Sequence, residues 1–177
     1  MRFEDIDVIA PALFPDEPWN EAEALGAMTW LWLQSAHYRH HLVSEMAAWV
    51  LPVLKNGQFA LFSRHARPLG YITWAYFDEA AEQRYLESNL SLLQNQDWQS
   101  GDRMWFVNWF APLGHSREIK SIAARLFPNQ CARSLHHRGN ERGMKIMLFK
   151  GKNMSAAQLD SWDKAHPLMM PAPPKPD

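Results

Sequence analysis

The sequence has little cysteine, almost no net charge and no long apolar run. Cys131 is the only cysteine among 177 residues, so no intramolecular disulfide can form, which suits a reducing cytosol. The 18 basic and 19 acidic residues leave a formal charge of −1. A chain without excess positive charge lacks the electrostatics of a general nucleic-acid binder, so we expect no nucleic-acid partner.

Membrane and export signals are also missing from the pattern. No stretch of about 18 uninterrupted apolar residues occurs, so we predict no membrane span. The chain begins Met1-Arg2-Phe3-Glu4-Asp5, with acids where a signal peptide would carry lysines ahead of an apolar run. We therefore expect a cytoplasmic protein.

Aromatic residues, by contrast, are abundant. The chain has nine Trp, nine Phe and four Tyr. Hydrophobic residues make up 47% of the chain and charged residues 21%. Large aromatic side chains fill cores and line apolar clefts, and composition does not separate these two uses. The length and composition fit one globular domain with a sizeable core.

Apolar periodicity and turn residues predict the order helix, helix, strand, strand, helix, strand, helix, strand, strand, helix. Asn20 and Glu23 have the spacing of a capping box at the start of the first helix. This mixture predicts an α/β (α+β) fold, in which a single mixed sheet carries packed helices. We expect an irregular lead at 1–20, the domain at 21–166 and a Pro-rich tail at 167–177.

The segment from Met104 to Phe110 is too aromatic for a surface loop and predicts a buried strand. In a regular strand, Trp105, Val107 and Trp109 would share one face, and Phe106, Asn108 and Phe110 the other. Asn108 is then a polar amide among aromatic rings and needs a hydrogen-bond partner. That partner is either the backbone or a loop, or else a catalytic group or a substrate carbonyl.

Three histidines, His37, His40 and His41, lie together at the predicted end of the first helix. Histidine is the commonest general base because imidazole titrates near neutral pH. The alternative is a solvated polar helix end. A zinc site would need further ligands, such as Cys131, His136 and His137, and the spacing shows no recognisable ligand set, so we predict no metal.

Short motifs in a fixed order carry a resemblance to a known family. They are Trp30-Leu31-Trp32 followed by Ser35, Val50-Leu51-Pro52, Trp74-Ala75, Asp97-Trp98 with Ser100-Gly101-Asp102-Arg103, and the run from Trp105 to Pro112. Over roughly residues 25 to 150, the chain resembles the RTX toxin-activating lysine acyltransferases.

The resemblance implies transfer of a fatty acyl group from acyl carrier protein to an internal lysine of a protein toxin. It also implies a fold similar to the Gcn5-related N-acetyltransferases, a homodimer, and no tightly bound cofactor. The alternative is a catalytically weakened homologue that binds a toxin or carrier protein without acyl transfer. Acetyl transfer from coenzyme A is less favoured, because the sequence lacks a clear pyrophosphate-binding loop.

The resemblance also implies where the site lies. The family's essential histidine aligns without gaps with Tyr38, beside His37, and its essential aspartate aligns with Asn108. We expect His37 to act as the base within about 8 Å of Asn108, which would orient it, with a phenol role for Tyr38 as the alternative. The residues expected to bind substrate or wall the acyl cleft are Arg103, Trp105, Phe106 and Phe110.

An acidic acyl carrier protein would need a local basic surface, because exposed charges govern association rate and salt dependence. The candidate residues are Arg64, Arg67, Lys120, Arg125, Arg133 and Arg138.

Overall fold

A seven-stranded mixed sheet organises the chain in the computed structural model, which describes residues 1–87, 93–138 and 141–168. The strands follow one another across the sheet in chain order, and only β5 and β6 run parallel. They are β1 (Arg2–Phe3), β2 (Ile6–Ile9), β3 (Phe59–Arg64), β4 (Arg67–Phe77), β5 (Arg103–Phe110), β6 (Cys131–Arg138) and β7 (Glu141–Lys150).

Helices cover both faces of this sheet. Over the described ranges they are α1 (Glu21–Leu33), α2 (Val43–Asn56), α3 (Glu79–Glu87), α4 (Ser116–Leu126) and α5 (Ala156–Ala165). Helix α4 packs on one face, where Ile119 joins Trp74 and Phe106 in the core. Helices α1, α2 and α3 pack on the other face, over alternate β4 residues such as Tyr71 and Phe77. The predicted fold class, one mixed sheet with packed helices, is confirmed.

The predicted irregular lead at 1–20 contains two short strands, β1 and β2, and is irregular only from residue 10 onwards. Strand β2 pairs antiparallel with β3, and Ile6 and Val8 are buried while Asp7 is exposed. This alternation with a period of two is the pattern of a half-buried strand. The prediction of an irregular lead is based on Pro11, Pro15 and Pro18, which all follow the strand.

The ends of the helices follow local sequence signals. The Asn20 side chain accepts a hydrogen bond from the Glu23 amide and caps α1 as predicted. Helix α2 contains Pro52 and ends at Asn56, before Gly57 in the left-handed conformation. The Asp78 side chain accepts from the Ala81 amide and caps α3, as the sequence predicts for a helix from Asp78 to about Leu93. The part of this predicted helix over 88–92 lies outside the described residues.

The sequence predicts two successive strands joined by a short connection that contains Pro68 and Gly70, and the β3–β4 hairpin confirms the strands but not the place of the turn. His65 and Ala66 form the turn with positive φ angles of 47° and 61°, a conformation that matches the twist of a tight hairpin. Pro68 and Gly70 lie within β4. At the other end of the chain, most of the Pro-rich tail predicted at 167–177 lies outside the described residues, which end at 168.

Candidate active site

Strand β5 carries a β-bulge at Val107 that decides which side chains share a face. Thr73 of β4 pairs with Asn108, and the next residue, Trp74, pairs with Phe106, so Val107 is the extra residue. The bulge breaks the regular alternation of the strand. From Asn108 onwards, each side chain lies on the face opposite to the one predicted.

Contacts on the two faces confirm this rearrangement. Trp109 packs on Phe106 with ring centroids 5.2 Å apart, on the face covered by α4. Phe110 packs on Tyr71 at 5.5 Å, on the face covered by α1 and α2. Phe106 also packs on Phe149 at 4.8 Å and is fully buried. The expectation that Phe106 and Phe110 wall one cleft is therefore wrong, because they point to opposite faces.

Asn108 has a hydrogen-bond partner on the neighbouring strand, β4. Its side-chain Nδ2 donates a hydrogen bond to Thr73 Oγ1 at 3.2 Å, and its backbone amide donates to the same oxygen at 3.1 Å. Thr73 is fully buried, and Asn108 is half-buried. The amide is thus held in a fixed orientation against the neighbouring strand.

The loop between α1 and α2 brings Tyr38 to the end of β5. The Tyr38 ring lies 4.8 Å from Trp32 and 5.2 Å from Phe110, measured between centroids. Burial raises the pKa of the Tyr38 phenol, so it stays neutral at physiological pH. Among the expected catalytic residues, Tyr38 contacts the strand that carries Asn108.

His37 and His40 are exposed. The His37 ring packs edge-on against Tyr38 at 4.8 Å and lies on the outer side of this aromatic cluster. The role of His37 as the base stays a prediction.

His41 is the residue whose setting the sequence reasoning missed. Its Nδ1 lies 3.0 Å from Glu45 Oε2, and its ring packs 5.3 Å from Tyr38 and 5.9 Å from Trp32. The same Glu45 oxygen accepts a hydrogen bond from the Leu42 amide at 3.0 Å, at the start of α2. The i, i+4 spacing of His41 and Glu45 at a helix start was the signal available in the sequence.

Trp105 and Arg103 lie in a buried polar network. Glu82 of α3 is 1% exposed. It accepts hydrogen bonds from Trp105 Nε1 at 2.7 Å, Arg103 Nη1 at 2.7 Å and Arg133 Nη1 at 3.0 Å. Arg103 also donates to the Pro167 carbonyl oxygen at 3.0 Å. These contacts anchor the C-terminal segment to α3 and β5. The substrate-binding roles expected for Arg103 and Trp105 stay predictions.

The predicted basic surface is smaller than expected. Arg133 is buried and bonded to Glu82 and Asp163, so it cannot serve as a surface charge. Arg64 pairs with Asp5 and Glu118, and its guanidinium lowers the pKa of both carboxyl groups. The Arg138 side chain lies outside the described part of the chain. The exposed candidates that remain are Arg67, Lys120 and Arg125.

Among the described side chains, no group of three His, Cys, Asp or Glu residues is placed to hold a metal ion. Cys131 is buried, and burial raises the pKa of its thiol, which disfavours the thiolate that a metal would bind. The side chains of His136 and His137 lie outside the described part of the chain. None of the described helices is both long and apolar enough to span a membrane.

The fold and the site together define a class of protein. It has a mixed sheet with one parallel pair, compatible with the Gcn5-related N-acetyltransferase fold, and a loop of tyrosine and histidine packed on a bulged strand. A profile of the RTX toxin acyltransferase family matches residues 17–150. The chain belongs to this family.

Relatives with assigned activities support the same family. A leukotoxin-activating lysine-acyltransferase of Aggregatibacter actinomycetemcomitans is 38% identical over 133 residues, 75% of this chain and 78% of the relative. The RTX-I toxin-activating lysine-acyltransferase of Actinobacillus pleuropneumoniae is 36% identical over 132 residues, 75% and 76% of the two chains. A protein-lysine myristoyltransferase of Escherichia coli is 35% identical over 132 residues, 75% and 77%.

Proposed function

We propose that this protein transfers a fatty acyl group from acyl carrier protein to internal lysines of a partner RTX toxin, which it thereby activates. The observation that carries the proposal is the match to lysine acyltransferases along three quarters of the chain, at 35–38% identity. We also expect the protein to be cytoplasmic. We expect it to form a homodimer, and sedimentation velocity would measure this oligomeric state.

The reaction needs two groups that the site can provide. The lysine nitrogen attacks the thioester carbonyl, a C–N bond forms, the C–S bond breaks, and the proton lost by nitrogen ends on the leaving thiolate. A base must accept that proton, and we expect a histidine of the α1–α2 loop, with His37 as the candidate from the sequence. The neutral Tyr38 phenol is suited to donate a hydrogen bond to the oxygen or sulfur that gains charge.

Asn108 supports this arrangement by position rather than by charge. Its amide is fixed by Thr73 on the face of the sheet that also carries Phe110, and Phe110 contacts Tyr38. An amide can orient a catalytic group through a hydrogen bond, but it cannot stabilise an imidazolium as a carboxylate does. We therefore propose that Asn108 is a positioning residue.

A direct assay tests the proposal. The purified protein is incubated with an RTX toxin from the same source and with acyl carrier protein charged with a fatty acid, and the toxin's mass is measured. We expect the toxin to gain the mass of whole acyl chains, mapped to lysines by peptide sequencing. Substitution of those lysines by arginine should remove the gain.

A second outcome would favour the binding-only alternative. Tyr38 and Asn108 stand where the resemblance places the family's essential histidine and aspartate, and this observation supports a weakened homologue. Intact binding of the toxin without any mass gain, with several acyl chain lengths tried, would establish that alternative and overturn the transferase proposal.

The acyl donor is tested through charge. Lys120 and Arg125 are exposed on α4, and acyl carrier protein is acidic, so their attraction should weaken as salt rises. We expect the double variant Lys120→Glu and Arg125→Glu to bind acyl carrier protein about tenfold or more weakly at low salt. Lys164→Glu on α5 is the control, because this exposed lysine pairs with Asp160 on its own helix. Equal binding by all three proteins would contradict the assignment of this surface.

A further inference from the structure

We propose that His41, held by Glu45, is the general base that takes the proton from the target lysine. The inference rests on the proposed function and assigns its proton acceptor. It differs from the candidate that the sequence suggested, His37, and the difference comes from the contacts of the loop between α1 and α2.

His41 is paired with a carboxylate. Nδ1 of His41 lies 3.0 Å from Glu45 Oε2, and Glu45 is held in place by the Leu42 amide, which donates to the same oxygen. A carboxylate accepts hydrogen bonds, so the proton of neutral His41 lies on Nδ1. The lone pair is then on Nε2, the atom that can accept a proton from an approaching amine.

Aromatic side chains enclose most of the His41 ring. The His41 side chain is 28% exposed, and its ring packs against Trp32, Tyr38 and Trp49 at centroid distances of 5.9, 5.3 and 6.2 Å. These rings fix the imidazole in one place while leaving part of it open to solvent. A base works best when its orientation is fixed before the substrate arrives.

His41 also lies close to the strand that carries Asn108. Tyr38 links His41 to Phe110, because the Tyr38 ring is 5.3 Å from His41 and 5.2 Å from Phe110. Phe110 lies on the same sheet face as Asn108. His41 therefore contacts Tyr38, one of the two positions to which the resemblance assigns catalytic residues, and Tyr38 reaches the strand that carries the other, Asn108.

The other loop histidines lack this setting. His37 and His40 are exposed, and neither has a carboxylate partner within the described residues. A similar pair exists elsewhere: His115 Nδ1 lies 2.7 Å from Glu118 Oε2 at the start of α4, on the opposite side of the sheet. Glu118 is shared there with Arg64. A histidine–glutamate pair alone does not make a base, so His115 provides a matched control.

The proton balance is complete with groups already named. The lysine ammonium first loses one proton to solvent, which leaves a neutral amine with a lone pair. As the C–N bond forms, Nε2 of His41 takes a second proton from the lysine nitrogen, and Glu45 faces the positive charge of the resulting imidazolium. When the C–S bond breaks, the imidazolium returns this proton to the thiolate. His41 ends neutral, and no further reactant is consumed.

The test compares initial rates of toxin acylation, followed by mass spectrometry, for His41→Ala, His41→Gln and His115→Ala. We expect both His41 variants to lose about 100-fold or more, the usual contribution of a general base, and His115→Ala to stay within about threefold of the unsubstituted protein. Imidazole added to the buffer should partly restore His41→Ala. A purely structural role for His41 would not give this rescue.

Glu45→Gln tests the orienting role. Glutamine can still accept from the Leu42 amide, but its NH₂ group can also face Nδ1 and favour the wrong tautomer. We expect a fall of about 10- to 100-fold in kcat with little change in KM, and no rescue by imidazole. Glu118→Gln is the control on α4. Melting temperatures of all variants should lie close to that of the unsubstituted protein.

The outcomes separate the inference from the function on which it rests. An unsubstituted protein that acylates no toxin overturns the proposed function, and the inference with it. An active protein whose His41→Ala and His41→Gln variants keep full rates overturns the inference alone. A larger loss in His37→Ala than in His41→Ala would assign the base to His37 instead.

Discussion

A single side chain, Thr73, fixes the most unusual polar residue of the core strand. The Thr73 hydroxyl accepts hydrogen bonds from both the side-chain and backbone nitrogens of Asn108. Because Thr73 is fully buried, water cannot replace these bonds. The Thr73 hydroxyl therefore explains how an amide is tolerated among aromatic rings. It also determines the effect of placing an aspartate at position 108.

We predict that Asn108→Asp lowers both stability and acylation rate. The carboxylate has no N–H to donate to Thr73 Oγ1, so the hydroxyl must turn to donate instead, and the substitution places a charge on a half-buried site beside aromatic residues. We expect the free energy of unfolding to fall by about 1–3 kcal/mol, the range for an unsatisfied buried group. Denaturant titration measures this fall, with Thr73→Ser as the control that retains the hydroxyl. A higher acylation rate in Asn108→Asp would show instead that the amide weakens an otherwise ordinary site.

At the scale of elements, one extra residue in β5 changes the sheet face on which all later side chains of the strand lie. The bulge at Val107 sends Trp109 to the α4 face and Phe110 to the face of Tyr38. Two adjacent aromatic residues therefore serve different parts of the protein. Without the bulge, Trp109 would lie on the face of Tyr38, and Phe110 would lie on the α4 face.

This division predicts opposite effects of two neighbouring substitutions. Trp109→Ala should cost about 2 kcal/mol of stability, because it removes packing on Phe106 and Phe149, and should leave the acylation rate within about threefold. Phe110→Ala should lower the rate by about tenfold or more, because it removes the support for the Tyr38 ring. Denaturant melts and acylation rates of both variants are the measurements. The reverse pattern would contradict the bulged register.

The buried network around Glu82 ties several elements together, so its loss should be costly. Glu82→Gln leaves Arg103 and Arg133 in the interior without their shared carboxylate. Removing one partner of a buried ion pair typically costs about 3–5 kcal/mol. The matched control is Glu79→Gln on the same helix, whose exposed side chain makes one 3.3 Å contact with Arg103 and should cost under about 1 kcal/mol. Equal losses in calorimetry would show that the network is not a structural anchor.

For the molecule as a whole, the features that could be predicted from the sequence are those determined by residues close together in the chain. Caps such as Asn20 and Asp78 and the aromatic strand β5 are readable because each signal lies within a few residues. The bulge at Val107 was not readable, because it depends on the register against β4, a partner distant in sequence. The burial of Arg133 likewise depends on Glu82 and Asp163, which only the folded chain brings together.

The same long-range packing predicts how the whole molecule responds to alkaline pH. Burial raises the pKa of all four tyrosines, Tyr38, Tyr71, Tyr76 and Tyr85, above the ordinary value of about 10. The folded chain therefore keeps phenolic protons that the unfolded chain loses. Stability from this source is fully present below about pH 10 and is lost as pH rises towards the folded pKa values.

We expect the free energy of unfolding to fall above about pH 10, with a slope of at least about 1.4 kcal/mol per pH unit, the value for one proton. Tyrosinate absorbance should rise together with unfolding rather than before it. Tyr85→Phe removes one fully buried phenol while keeping its ring contacts with Phe77 and Trp105. The alkaline slope of this variant should therefore be shallower by about one proton's worth. An unchanged slope in Tyr85→Phe, or tyrosinate absorbance that appears while the fold is intact, would contradict the protection of these phenols by the core.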